Sequence, residues 1–231
     1  MVRRSPSGRA LLAPAGTGAR SSMVRSQGTA PVAVTLAAMS LVFDIGQGAG
    51  LAGASGIRPF LPPLLAGALA RGDIGLDFDR TDWSFLESPV FLLVVLALAV
   101  AAYLAERAGV ERRGVTIATA IVGAVLGALL FAGSLAEGGD LTPVVGIVAG
   151  VLVAVLAFAS VGGLLDRAAR RLDDSAAGLL TVYADVAALV LAAIAIFVPP
   201  VAFLALVAFV VLVIRGRDSG DRKYAGLRIL R

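Results

Sequence analysis

The chain predicts an all-α fold, a polytopic transmembrane helix bundle of six to seven helices, and three observations carry that prediction. Hydrophobic residues fill 58% of its 231 positions and charged residues only 16%, against about 25% charged in a soluble domain. Mean hydropathy is +0.92. Uncharged runs recur at close to the roughly 20 residues that cross a hydrocarbon core about 30 Å thick. Basic and acidic residues, finally, alternate between successive turns.

Taken in order, residues 1–30 hold Arg3, Arg4, Arg9, Arg20 and Arg25 among Ser, Gly and Pro. This composition predicts a disordered basic tail. Its apolar stretch is too short for a signal peptide, Met23 opens an alternative start, and the tail is expected to be dispensable. The membrane domain is expected over 31–216. Its first 40 residues, Pro31 to Ala70, exceed one crossing and are interrupted by "GQGAGLAGASG", so helix 1 is read over 31–53 and a short helix 2 over 57–71. Either both cross, or they form a broken or re-entrant unit that crosses once.

Three spans follow directly: Ser88 to Ala105, Val115 to Ala136, and Leu141 to Leu165, each ended by a charged residue. The next apolar stretch, Ser175 to Ile214, is too long for one span and carries Pro199 and Pro200. Proline ends one helix and suits the first turn of the next, so "FVPPVAF" marks a hairpin tip between spans 176–198 and 199–215. A basic tail, 217–231, closes the chain.

Twelve Lys or Arg residues cluster after helices 3, 5 and 7. The turns between these clusters hold little positive charge, and one of them, "GDIGLDFDRTDWSFLES", is acidic. The positive-inside rule places the basic turns and the carboxyl terminus in the cytoplasm and predicts a multi-pass protein of the inner (plasma) membrane. An internal repeat is visible as well. "AGALARGD" and "AGSLAEGGD" each close a helix, and each precedes a Ser-Pro or Thr-Pro step, a long apolar helix and a "LAER" or "LLDR" end. Repeated helical hairpins of this kind are common in transporter folds.

The chain has neither cysteine nor histidine. Thiolate nucleophiles, His metal sites and Ser-His-Asp triads are thereby excluded, and no enzyme activity and no cofactor are expected. No phosphate-binding loop occurs and Lys223 is the single lysine, which argues against nucleotide-driven transport by this chain. Chemistry therefore rests on ionisable residues within apolar helices. Asp44, with Gln47 one turn on, and Asp185, with Tyr183 and Thr181 beside it as hydroxyl donors, are each placed about 14 or 15 Å from the cytoplasmic end of their helix, at 1.5 Å per residue. The two carboxylates are thus expected to share the bilayer midplane, where ionisable groups mark a polar, ion or proton site or act as interhelical glue. Arg58 is expected at the amino end of helix 2, where the dipole disfavours a cation. There it anchors at the interface or meets Glu106 or Asp166; in the broken-helix arrangement it is neutralised by Asp44 or Asp185. Glycine pairs, Gly123 with Gly127 and Gly146 with Gly150, speak to close packing.

"GIRPFLPPLLAGALARGDIGLDF", the "LAER" after helix 3 and the "YADVAALVL" of helix 6 resemble a group of bacterial integral membrane proteins classed as a domain of unknown function, with an amino-terminal Gly-x-Arg-x-Phe-x-Pro segment and an acidic residue in a late helix. The resemblance covers about residues 35 to 215 and implies Arg58, Pro62 and Asp185 as family-like positions. The chain departs from that pattern in "ERAGVERRG", where an Asp-Lys-x-Pro-like turn is expected. The resemblance implies a fold and no mechanism.

Two functions stand after this reading. One is a small-solute or ion permease or channel using midplane carboxylates, with a small solute or cation as partner. The other is a non-transporting membrane scaffold or partner-binding protein. The lipid bilayer is a partner in both, a second copy of the chain is a candidate, and nucleic acid is not expected.

Overall fold

A computed structural model describes residues 30–79, 81–108, 112–138, 142–169 and 174–225. Of the expected tails, 1–30 and 217–231, residues 1–29 and 226–231 lie outside the described residues, and the last helix runs on through 217–225. Residues up to Ala37 form a unit of their own, of which the first turns of one helix are described, and everything below concerns the unit Ala38–Arg231.

The described residues form seven α-helices, α1 (Ala30–Ile57), α2 (Leu61–Ala70), α3 (Pro89–Arg107), α4 (Arg112–Gly138), α5 (Pro143–Ala169), α6 (Asp174–Phe197) and α7 (Pro199–Ala225). A single 3-10 turn, Ser84–Glu87, precedes α3. Five helices are long and apolar enough to cross a membrane, and α2 and α3 are shorter apolar helices. Large hydrophobics such as Leu93, Leu152, Val186 and Leu204 point outward, as lipid contact requires. The chain is a multi-pass membrane protein.

The prolines set the boundaries as expected. Pro89, Pro143 and Pro199 each occupy the first helical position, where the missing N–H is not needed. The glycine-rich stretch of helix 1 behaves differently from its expected break, because α1 runs through it to Ile57. Helix propensity is overridden by packing: a methyl group at Gly46 would strike the Pro199 carbonyl, one at Gly50 would overlap Ala195 and Ala202, and one at Gly56 would overlap the Ala154 carbonyl. The glycines let neighbouring backbones touch α1 along its length.

Those contacts also give α1 its direction. The turns α2–α3, α4–α5 and α6–α7 lie at one end of the bundle, here the acidic end. The turns α3–α4 and α5–α6 and the close of α7 lie at the other, the basic end. Gly46 packs at the α6–α7 turn, Gly48 on Phe131 of α4, and Gly56 on Ala154 halfway along α5. α1 therefore descends from the acidic end and stops at mid-depth. α2 climbs back, burying Ala66 and Ala70 with Leu76, Phe78 and Leu86 at the acidic end. With ten residues, α2 rises about 15 Å, half a hydrocarbon core. Gly46 to Ile57 of α1 and α2 together form a re-entrant hairpin within the acidic half of the bundle, and α1 over Val34–Ile57 is also one of the five helices long enough to cross.

α2 packs between α3 and α6. The repeat is realised only in part. Both "AGALARGD" and the described portion of "AGSLAEGGD" end helices at the acidic end, but the first closes a helix of 10 residues and the second one of 27. Correspondence is limited to the upper half.

Candidate functional site

The tip of the re-entrant hairpin, Arg58 to Phe60, is a stretch of irregular backbone at mid-depth, where each stranded polar group is costly. The sequence removes most of the problem. Arg58 N–H still bonds to the Ala54 carbonyl at 2.9 Å and completes α1. Pro59, Pro62 and Pro63 carry no N–H, so the start of α2 strands fewer donors than an ordinary helix start. Gly56 and Gly123 clear the space: side chains there would meet Ala154 on α5, or Ser55 and Pro59 at the tip itself. The tip is thereby wedged between α4 and α5.

Arg58 emerges at the carboxyl end of α1, where the helix dipole favours a cation. Its other location, at the head of α2, is the one sequence reasoning weighed. Its Nε lies 2.6 Å from Asp185 Oδ1 on α6, a Coulombic contact in which the N–H is not aligned as a hydrogen bond. Nη2 donates to the Thr181 carbonyl at 3.0 Å. Thr181 and Asp185 are one turn apart and share a face of α6. The side chains are 28% and 39% exposed. Arg58 is thus an intramembrane partner of Asp185 rather than an interfacial anchor. The expected alternatives, Glu106 and Asp166, have side chains outside the described residues.

Beneath the tip lies a cavity of about 520 Å³, lined by Arg58 and Asp185 above and by the basic halves of four helices. α3 contributes Ala102 and Tyr103, α4 Thr116 and Thr119, α5 Phe158 and Leu165, and α6 Thr181. The origin of the space is the length of α2. In the acidic half α2 fills the slot between α3 and α6; in the basic half no described residue takes its place. At the basic end Arg107 stacks on the Tyr103 ring, 5.1 Å from its centroid.

The remaining candidates divide by location. Asp44 and Gln47 sit one turn apart on the descending arm at the acidic end, so Asp44 does not share the depth of Asp185. The expectation of equal depth assumed that α1 ends at the cytoplasmic surface, whereas it ends halfway. The Asp44 and Glu137 carboxylates repel one another there, and the Asp77 N–H donates to Glu137. Gln47, 6% exposed, donates through Nε2 to the Gly75 carbonyl at 3.1 Å. Tyr183 is 71% exposed. Its position two residues from Asp185 turns it about 200° around α6, at 100° per residue, so it faces away from the pair and the expected hydroxyl donor is not beside Asp185.

Sequence reasoning missed Glu87. It is buried where the loop 71–88 folds over the bundle, and its Oε1 accepts the Phe78 N–H. Burial pushes its carboxyl above the usual carboxylate range; the Phe78 hydrogen bond pulls the other way, and Asp79, Asp77 and Asp73 add repulsion. A signal was available in "DWSFLESP", a carboxylate one residue before a Ser-Pro helix start in an otherwise apolar turn.

Fold and site together define a polytopic helical membrane protein with a short hairpin whose tip carries an ion pair over a half-open pocket. Residues 45–218 match the family described as Domain of unknown function (DUF4126), and the chain belongs to that family. No curated protein and no solved structure matches the chain.

Proposed function

We propose that the protein is a permease for a small solute, with the Arg58–Asp185 pair as its binding element and the cavity below as its access route from the basic end. The observation that carries this reading is the coincidence of the two features. The half-length of α2 leaves about 520 Å³ of space, within the 300 to 1,000 Å³ usual for small-molecule sites, and the intramembrane charges form its roof. Re-entrant, interrupted helices meeting a site at the bilayer midplane are a recurring construction in transporters. The positive-inside rule orients the basic end, and with it the carboxyl terminus, toward the cytoplasm of a plasma membrane.

Because the chain has no cysteine, single thiols report access without background. Ala102→Cys places one in the cavity wall, and Leu152→Cys places one on the outer surface of α5. A membrane-impermeant maleimide is expected to label the Ala102→Cys protein in inside-out vesicles, not in right-side-out ones, and to spare the Leu152→Cys protein in both. Labelling of neither thiol from either side returns the reading to the second function, a scaffold in which the pair simply clamps the hairpin to α6.

A further inference from the structure

The pair consists of two groups with unequal freedom to lose charge, and this asymmetry selects the solute. A carboxylate can be neutralised by a proton at accessible pH, whereas an arginine in a protein stays charged. Among the described residues that line the cavity, Asp185 and Arg58 are the charged side chains, one of each sign. An incoming cation would have to displace Arg58 from Asp185 and leave the guanidinium unpaired within the membrane, with no route to neutrality. An incoming anion displaces Asp185 from Arg58, and Asp185 is then neutralised by one proton. In a medium that penalises net charge, only the second exchange keeps the site neutral.

Resting on the permease reading, we propose that the cavity binds a small weak acid as its separated ions, a monocarboxylate on Arg58 and its proton on Asp185, so that one proton accompanies each anion. The balance is simple. The Arg58–carboxylate contact replaces the Arg58–Asp185 contact, and the proton taken from the aqueous side forms the Asp185 O–H. The surroundings favour this direction. The guanidinium presents a planar fork that matches a carboxylate, and the amino end of α2 adds positive potential at the tip. Phe158, Val161, Leu165, Ala99 and Ala102 supply an apolar wall for a carbon tail.

Among the described residues, Asp185 shares the cavity lining with Arg58 from the hairpin, with Tyr103 from α3, on whose ring Arg107 is stacked, with the hydroxyls of Thr116 and Thr119 from α4, and with Phe158, Val161 and Leu165 from α5. Among the described side chains, Arg107, Arg113, Arg167 and Arg215 lie at the basic ends of α3, α4, α5 and α7 and add a positive field that draws anions toward the mouth.

The test uses the full chain with Thr119→Cys in nanodiscs and two methanethiosulfonate reagents of similar bulk, one sulfonate and one trimethylammonium, with rates normalised to a free thiol. The sulfonate is expected to react at least about tenfold faster, the lower end of electrostatic enrichment in a charged cleft. Benzoate is expected to slow that reaction, with uptake of one proton per benzoate bound, and benzylammonium is expected to leave it unchanged. Arg58→Gln combined with Asp185→Asn, which removes both charges and leaves neither stranded, is expected to abolish the protection and the proton uptake, while the preference set by the basic residues at the mouth persists. Asp185→Asn alone is expected to abolish the proton uptake.

If neither reagent reacts, the cavity is closed to water and the permease reading falls. If both react without preference for the anion, or benzoate at tens of millimolar gives no protection, the permease reading stands and the weak-acid inference is overturned. Protection by zwitterionic leucine with no proton uptake, in place of protection by benzoate, also overturns it. So does benzoate protection that survives in the doubly neutral variant.

Discussion

The acidic end of the bundle and its mid-depth handle buried polar groups in opposite ways. At the acidic end carboxylates crowd together. Asp44, Glu137, Asp77 and Glu87 lie within range of one another's charge, and the carboxylate oxygens of Asp73, Asp77 and Asp79 fall within 4.8 Å. Order there comes from backbone groups: the Gly75 carbonyl takes the Gln47 amide, Glu87 takes the Phe78 N–H, and the Thr81 hydroxyl donates to the Phe78 carbonyl at 2.9 Å. Each of these bonds ties a loop residue down, and the space between is filled by Leu76, Phe78 and Leu86. At mid-depth a single cation meets a single anion, and the space beside them is left open. The difference teaches that a polar residue in this membrane protein points to ligand chemistry when it borders a void, and to architecture when protein surrounds it.

The largest effect that separates the two regions should come from the tip. Gly56→Leu drives a side chain into the Ala154 carbonyl, and overpacking of this kind is expected to cost about 3 kcal/mol or more. Thermal unfolding followed by size-exclusion chromatography in detergent checks it. A variant that melts with the parent protein would mean that the hairpin tip is not wedged between α4 and α5.

Arg58→Gln comes next. Breaking one side of a buried pair typically costs about 3 to 5 kcal/mol, and partial exposure of both side chains reduces this to roughly 2. Adding Asp185→Asn is expected to restore most of the loss, and a double-variant cycle measures the coupling. Near-zero coupling would place the pair with surface ion pairs.

At the acidic end the changes are smaller. Gln47→Leu removes the donor to the Gly75 carbonyl and is expected to lower stability by about 1 kcal/mol while leaving labelling of a cavity thiol unchanged. Altered labelling would couple the two regions and break the contrast drawn between them.

The smallest expected effect is a pH dependence. Glu87 has a carboxyl raised above its ordinary value by burial, so the folded state holds its proton more tightly than the unfolded chain does. Stability from this group is full below the unfolded value and declines as pH rises through the folded one. Glu87→Gln keeps an acceptor for Phe78 and removes the titration. Melting curves from pH 4 to 8 should therefore decline less with pH for the variant than for the parent, and parallel curves would show that Glu87 does not titrate differently on folding.

Much of the fold was legible because prolines and charges punctuate the chain. The starts of α3, α5 and α7 follow from Pro89, Pro143 and Pro199, whereas α7 runs past the expected end at 215 to Ala225. The depth of the site was not legible, since counting 1.5 Å per residue from a helix end gives depth only if that end lies at the surface. α1 ends halfway, so the same count that placed Asp185 misplaced Asp44. The shortness of helix 2 was the available signal: ten residues cannot cross, and a helix that cannot cross and is buried must turn back. The Arg58–Asp185 contact depends on that return and could be named from the sequence only as one of several pairings. Tyr183, by contrast, could have been set aside from its spacing, as residues two apart on a helix face opposite ways.

The half-length of α2 has a consequence for how the protein is made. A ten-residue segment with an arginine at its head cannot be retained in a bilayer as an independent span. The backbone carbonyl that receives Arg58, that of Thr181, lies 123 residues further along the chain. The hairpin therefore cannot seat when it emerges during synthesis, and most of the polypeptide must be inserted before its cation finds a partner. Contacts this distant in sequence are the slow ones to form. The α1–α2 hairpin can therefore reach its final position only once α6 has been inserted.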